Sequence, residues 1–239
     1  MQIESPLLIS RQLLATLGTR MFLHHQDRIP PSGATLVVSN HRSFMDAPLL
    51  MAALERPVRF ACHHYMGQVP FLRELVTRMG CFPLGAPDQR QQTLFTQAIQ
   101  LLQARQTVGI FPEGAYGMVQ YTKPDEMGEF HRGFAHLALR APISELAILP
   151  VAIASYQEDT NTAIPLKLLS WADPSEPLFN KPGWHPMIVY QRVNVLIGRP
   201  IWITPSQQQG YQGKRAKTVV SDLTAHCHDE INRLLQQGY

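Results

Sequence analysis

Ala34-Thr35-Leu36-Val37-Val38-Ser39-Asn40-His41-Arg42-Ser43-Phe44-Met45-Asp46-Ala47-Pro48 is a strand, a short turn and the start of a helix in one run. Its first five residues are apolar or β-branched and read as a buried strand. Asp46 stands two residues before Pro48, where it is well placed to cap a helix running to about Leu54. The alternation continues outward. Val58 to Cys62 reads as a strand, and residues 70 to 79 as a helix stopped by Gly80. Residues 89 to 106 place Leu94, Phe95, Ala98, Leu101 and Leu102 at helical spacing. Thr107-Val108-Gly109-Ile110 is strand-like, and a loop of about fifteen residues leads to a helix near Arg132 to Arg140. Ala147 to Tyr156 is another apolar strand. Residues 157 to 185, rich in Pro, Asn and Asp, predict a long surface excursion. Residues 187 to 203 contain β-branched runs, and Lys214 to Gln237 closes the chain as an amphipathic helix. The expected class is α/β: a single domain with a largely parallel, mixed central sheet flanked by helices.

Upstream, residues 6 to 23 place Leu7, Leu8, Leu14, Leu17 and Met21 roughly on one helical face, interrupted by Arg11 and Arg20. Two readings fit: a helix lying on a membrane surface, or one packed on the domain. Pro30-Pro31-Ser32-Gly33 marks a turn. The expected division is therefore an amphipathic, possible membrane-associating segment over 1–28 and the main domain over 29–239. A chain of 239 residues buries a sizeable core. Three scattered cysteines, Cys62, Cys81 and Cys227, argue against a disulfide framework and fit a reducing compartment. No run approaches the length of about eighteen apolar residues that spans a bilayer, and Glu4 disrupts a signal-peptide pattern. A cytoplasmic, peripheral membrane location is the expectation. The net charge of +3 allows attraction to anionic lipid or a phosphorylated carrier, and does not indicate nucleic acid.

His41 sits at the exit of the first strand, where active sites of open α/β sheets gather. An imidazole takes a proton near neutral pH, and a carboxylate fixes its tautomer. In an ideal helix, residues five apart lie about 140° around the axis. His41 and Asp46 therefore meet only if residues 42 to 45 form a turn into the helix. No Gly-x-Ser-x-Gly elbow occurs, so Ser43 is no serine-hydrolase nucleophile. A His-Asp pair without a nucleophile of its own suits deprotonation of a substrate hydroxyl. The paired histidines His24-His25, His63-His64, His131 with His136, and His226 with His228 show no metal-site spacing. No metal and no cofactor is expected.

Phe111-Pro112-Glu113-Gly114 lies about seventy residues beyond His41 and follows a second strand. Together the two motifs resemble the glycerolipid acyltransferase family, of the 1-acylglycerol-3-phosphate acyltransferase type. Gly80-Cys81-Phe82-Pro83-Leu84 and Ile148-Leu149-Pro150-Val151-Ala152 resemble two weaker blocks of that family, and Gly128 to Gly133 its basic segment. The resemblance covers roughly residues 30 to 205. It implies transfer of a fatty acyl group, from acyl-CoA or acyl carrier protein, to a hydroxyl of a lysolipid acceptor, in phospholipid synthesis or remodelling. His41 would be the base and Asp46 its orienting carboxylate. Glu113 and Gly114 would shape the acceptor site, with Arg42, Ser43 and Arg132 as further candidate substrate-binding residues.

The chain departs from the family's pattern at its phosphate clamp. Gly85-Ala86-Pro87-Asp88 stands where an arginine is usual, and Ala115-Tyr116 replaces Thr-Arg. Arginine's bidentate fork suits phosphate, and neither glycine nor tyrosine replaces it. Arg42, Lys123, His131 and Arg132 are the basic residues that could take over. The alternatives are an acyltransferase for a non-phosphate or non-lipid acceptor, and a non-catalytic lipid-binding paralogue.

Overall fold

The computed structural model describes residues 5–62, 74, 76–84, 89–114, 121–165, 184–213 and 215–238. In chain order the elements are α1 (Pro6–Thr16), β1 (Arg20–His24), β2 (Ala34–Ser39), α2 (Asp46–Leu54), β3 (Val58–Cys62), β4 (Phe82–Pro83), α3 (Arg90–Gln103), β5 (Thr107–Ile110), α4 (Gly133–Arg140), β6 (Leu146–Pro165), β7 (Trp184–Ile197), β8 (Ile201–Ile203), α5 (Pro205–Gly210) and α6 (Arg215–Gln237). Among the described residues the strands form one sheet in the order β1-β7-β6-β2-β5-β3-β4, with β8 paired to β6. Pairings from β6 through β2, β5 and β3 to β4 are parallel. Those of β7 and β8 with β6 are antiparallel. This is the mixed α/β sheet expected from the sequence.

Helices cover both faces, as a mostly parallel sheet requires. Every residue of β2 is buried. Leu36 and Val38 face a core built with α3, α4 and α6. Val37 faces the opposite core, built with α1 and α2. The α2 helix is apolar on nearly every side, and of its residues only Ala47 is not fully buried. That fits a helix enclosed between α1 and the sheet. Its packing fixes the turn that precedes it.

Two elements differ from the sequence expectation. The helix expected over 6–23 ends at Thr16, because Gly18 adopts φ +69 and breaks it. Arg20–His24 then forms the edge strand, parallel to β7. Part of the segment assigned to 1–28 is thus woven into the sheet. The α1 helix itself packs on α2, with Ser10 and Leu14 buried and Leu8 45% exposed. The surface excursion expected over 157–185 is, at both ends, regular structure. Strand β6 continues to Pro165 and pairs with β7 from Trp184 onward, in an antiparallel ribbon that runs past the end of β2. The cause is ladder pairing: cross-strand bonds join backbone groups whatever the side chains, so polar residues there need not mean a loop. Residues 166–183 lie outside the described residues, as do 70–73 and 75 of the helix expected over 70–79.

Candidate active site

The site lies at the carboxyl ends of β2 and β5. Both strands point the same way in the sheet, so the segments that leave them meet at one edge. Residues 41–46 form the turn that the His-Asp reading required, closed by a hydrogen bond from the Asp46 amide to the Ser43 carbonyl at 3.1 Å. His41 Nδ1 stands 2.8 Å from Asp46 Oδ2. Asp46 is buried and His41 is 18% exposed. With the carboxylate as acceptor, the imidazole proton is assigned to Nδ1. Nε2 makes no hydrogen bond among the described residues and is left as the basic nitrogen.

Asp46 does not cap its helix in the usual sense. Oδ2 reaches backward instead, accepting from the amides of Arg42 at 2.7 Å and Ser43 at 2.8 Å. Oδ1 accepts from the Tyr190 hydroxyl at 2.9 Å. One carboxylate therefore shapes the turn and aligns the imidazole. Tyr190 is fully buried on β7, and burial, then the Asp46 charge, holds its phenol well above its ordinary pKa. It remains a donor throughout the physiological range.

The imidazole is held from its flat side as well. Its ring stacks on Phe111 at 4.0 Å, and Phe111 stacks on Phe60 at 4.9 Å. Phe60 lies across Gly109 on the neighbouring strand, where any Cβ would overlap its ring. Gly109 is thus needed for close approach.

Glu113 bridges two loops. Oε1 accepts from the His41 amide at 3.0 Å and Oε2 from the Gly128 amide at 2.6 Å. Burial pushes its carboxyl above the ordinary range, against the pull of those two bonds. Glu113→Gln presents an NH2 to one of the two amides. A buried donor left unpaired costs about 1 to 3 kcal/mol. Chemical denaturation should show a loss of that size, and an unchanged midpoint would show that the bridge does not form. Gly114 closes its turn at φ +65, with the His131 ring beside it at 3.7 Å from where a Cβ would stand.

The other candidates divide. The Arg42 guanidinium pairs with Glu158 at 2.9 and 3.0 Å and with Thr122, and its side chain is only 2% exposed. Ser43 Oγ donates to the Ile188 carbonyl at 2.6 Å and accepts from the Met45 amide. Both side chains turn into the protein. Arg132 is exposed and makes no side-chain hydrogen bond among the described residues, while Lys123 pairs with Glu126 at 3.3 Å. Gly85, Ala86, Ala115 and Tyr116 lie outside the described residues. The amides of His41, Arg42, Ser43 and Met45 are all engaged, so none of these four is free for a developing oxyanion.

Sequence reasoning left three contributors without a role. Asn40 locks the turn to β6, exchanging two hydrogen bonds with the Ile153 backbone at 2.8 and 2.9 Å. Its place beside His41 was the available signal. Tyr190 and Glu158 are distant in sequence and carried none. Among the described residues no group of three His, Cys, Asp or Glu side chains gathers around a metal-sized space. Burial pushes the Cys62 thiol up to about 11 and Cys81 up to about 12, so neither ionises near neutrality.

A family model described as Acyltransferase matches residues 20–154. A 1-acyl-sn-glycerol-3-phosphate acyltransferase from Borreliella burgdorferi is 23% identical over 137 residues, which is 57% of this chain and 52% of that protein. The match thus spans about half the length of that relative. The crystal structure of the 1-acyl-sn-glycerophosphate (LPA) acyltransferase PlsC from Thermotoga maritima superposes with a TM-score of 0.62 at 16% identity, covering 98% of this chain and 78% of that one.

Proposed function

Because this chain belongs to the acyltransferase family, we propose that it transfers a fatty acyl group from a thioester donor to a hydroxyl of a glycerolipid-like acceptor at a membrane surface. The observation that carries this reading is the His41–Asp46 contact of 2.8 Å at the sheet's carboxyl edge, with Nε2 making no hydrogen bond among the described residues. Nε2 takes the proton of the acceptor hydroxyl as its oxygen attacks the thioester carbonyl. The tetrahedral intermediate collapses, the carbon–sulfur bond breaks, and the imidazolium returns the proton to the leaving thiolate. Asp46 stays charged throughout and stabilises the imidazolium. The protein's own hydroxyls and thiols take no covalent part. Ser43 Oγ is engaged with a carbonyl, and the cysteines near the site stay protonated.

The donor is acyl-CoA or acyl carrier protein. A panel of lysolipid acceptors in vesicles, with labelled acyl groups on each carrier, tests the reading. Turnover with one pairing and sedimentation of the protein with the vesicles are expected. No transfer with any pairing would reject the reading, and no sedimentation would reject the membrane surface.

The acceptor need not carry a phosphate monoester. Two arginines that the family usually places near the acceptor are absent at Gly85-Ala86 and Ala115-Tyr116. Arg42 is taken up by Glu158 and Thr122, which leaves His131 beside Gly114 and Arg132 at the start of α4 as basic side chains with no hydrogen bond or ion pair among the described residues. Each charge-assisted contact to phosphate is worth roughly 1.5 to 3 kcal/mol. Losing two should erode selectivity by at least about tenfold, since 1.4 kcal/mol is a factor of ten. In competition at equal concentration, lysophosphatidate should show no strong advantage in kcat/KM over a zwitterionic lysolipid. A preference of a hundredfold or more would overturn this and point to His131 and Arg132 as the clamp.

A further inference from the structure

We propose that Tyr190 is a positioning residue for the catalytic pair, and that through it the β6–β7 ribbon sets how firmly the base holds its proton. The inference deepens the acyl-transfer reading and rests on it. Tyr190 lies well beyond the stretch that carries the family motifs, so nothing in those motifs assigns it a role.

Among the described residues, contacts from Tyr190, Ile188 and Glu158 join the ribbon to the 41–46 turn. The Tyr190 hydroxyl donates to Asp46 Oδ1 at 2.9 Å, and the Tyr190 amide points at Met45 Sδ at 3.2 Å. The Ser43 hydroxyl donates to the Ile188 carbonyl at 2.6 Å, and Arg42 pairs with Glu158. Glu158 and Tyr190 are direct partners across the ladder. Directly opposed residues project to the same face, so one rung of the ribbon holds both ends of the turn. The register shifts around Gln157, immediately before Glu158. A bulge of this kind re-aims the side chains next to it.

The chemistry follows from how the carboxylate is divided. Oδ2 serves His41 and two backbone amides, and Oδ1 serves Tyr190. The Tyr190 donor stops the carboxylate from rotating about its Cβ–Cγ bond. It also draws charge toward Oδ1, away from the oxygen that faces the imidazole. Without that donor, more charge falls on Oδ2, and the imidazolium is held more strongly. Neighbouring charged groups are Arg42 and Glu158, which pair with each other, and Glu113, whose oxygens accept from backbone amides. None of these donates to Oδ1, so none substitutes for Tyr190.

The test is Tyr190→Phe, which keeps the ring and removes one hydroxyl. A charge-assisted hydrogen bond supports a fall in kcat of roughly tenfold, with KM nearly unchanged. The acidic limb of the kcat/KM profile should move to higher pH by roughly half to one unit, and the His41 ring signals followed by NMR should titrate higher by the same amount. Val193→Ala, on the same strand and fully buried, is the control. It should lower stability and leave both pH readouts where they are. If Tyr190→Phe moves neither the limb nor the ring titration, or if Val193→Ala moves them equally, the proposal is overturned. If the wild-type protein transfers no acyl group with any donor and acceptor, the acyl-transfer reading falls. The NMR titration of His41 still decides the role of Tyr190 in that case.

Discussion

Replacing His41 with alanine should lower acyl transfer by about 10² to 10⁴, the usual contribution of a positioned general base. The loss should appear in kcat, because Nε2 acts on the proton only as the carbon–oxygen bond forms. The fold should survive. The ring is partly exposed and sits at the end of a stack, so its removal leaves Phe111 packed on Phe60. The His41 amide keeps its bond to Glu113 whatever side chain it carries. Initial rates of labelled product formation, beside a thermal melt, give the answer. Near wild-type turnover in a folded His41→Ala protein would discard the mechanism.

Asp46→Asn should be nearly as damaging, and for two separable reasons. The first is chemical. A neutral amide does not stabilise the imidazolium, and it allows the ring to adopt the wrong tautomer. In serine proteases the corresponding change costs about 10⁴ in kcat. A loss of about 10² to 10⁴ is expected here. The second reason is structural. Asp46 accepts four hydrogen bonds, from His41, Arg42, Ser43 and Tyr190. If the amide oxygen keeps the backbone pair, the NH2 faces Tyr190, whose hydroxyl can turn to accept. If the NH2 faces the turn instead, two buried donors meet it. Each donor left unpaired costs about 1 to 3 kcal/mol. The variant should therefore unfold at lower denaturant as well as turn over slowly, whereas His41→Ala should only turn over slowly. Full activity in Asp46→Asn would remove the carboxylate from the mechanism.

Local periodicity made the centre of the fold legible. The run Ala34 to Leu54 contains its own strand, turn and helix, so its neighbours in sequence are its neighbours in space. His41 and Asp46 were legible for the same reason, since only a turn of a few residues had to be inferred. Side-chain direction was not legible. Arg42 and Ser43 adjoin His41 in sequence, yet both point inward, because the turn that brings Asp46 to His41 rotates the intervening residues toward the ribbon. The strand Arg20–His24 was hidden because five residues are too few to separate period 2 from period 3.6. The outer ribbon was hidden by its polar composition. Tyr190 and Glu158 were hidden because their partners lie 144 and 116 positions away.

That separation has a consequence for how the protein can be divided. All the recognisable motifs fall between Asn40 and Ala152, and a fragment ending there would contain each of them. It would lack the hydroxyl that holds Asp46 Oδ1 and the carboxylate that neutralises buried Arg42. It would also lose the strand to which β1 is joined. The smallest piece that keeps these contacts on the 41–46 turn therefore extends through β7, well past the last motif residue.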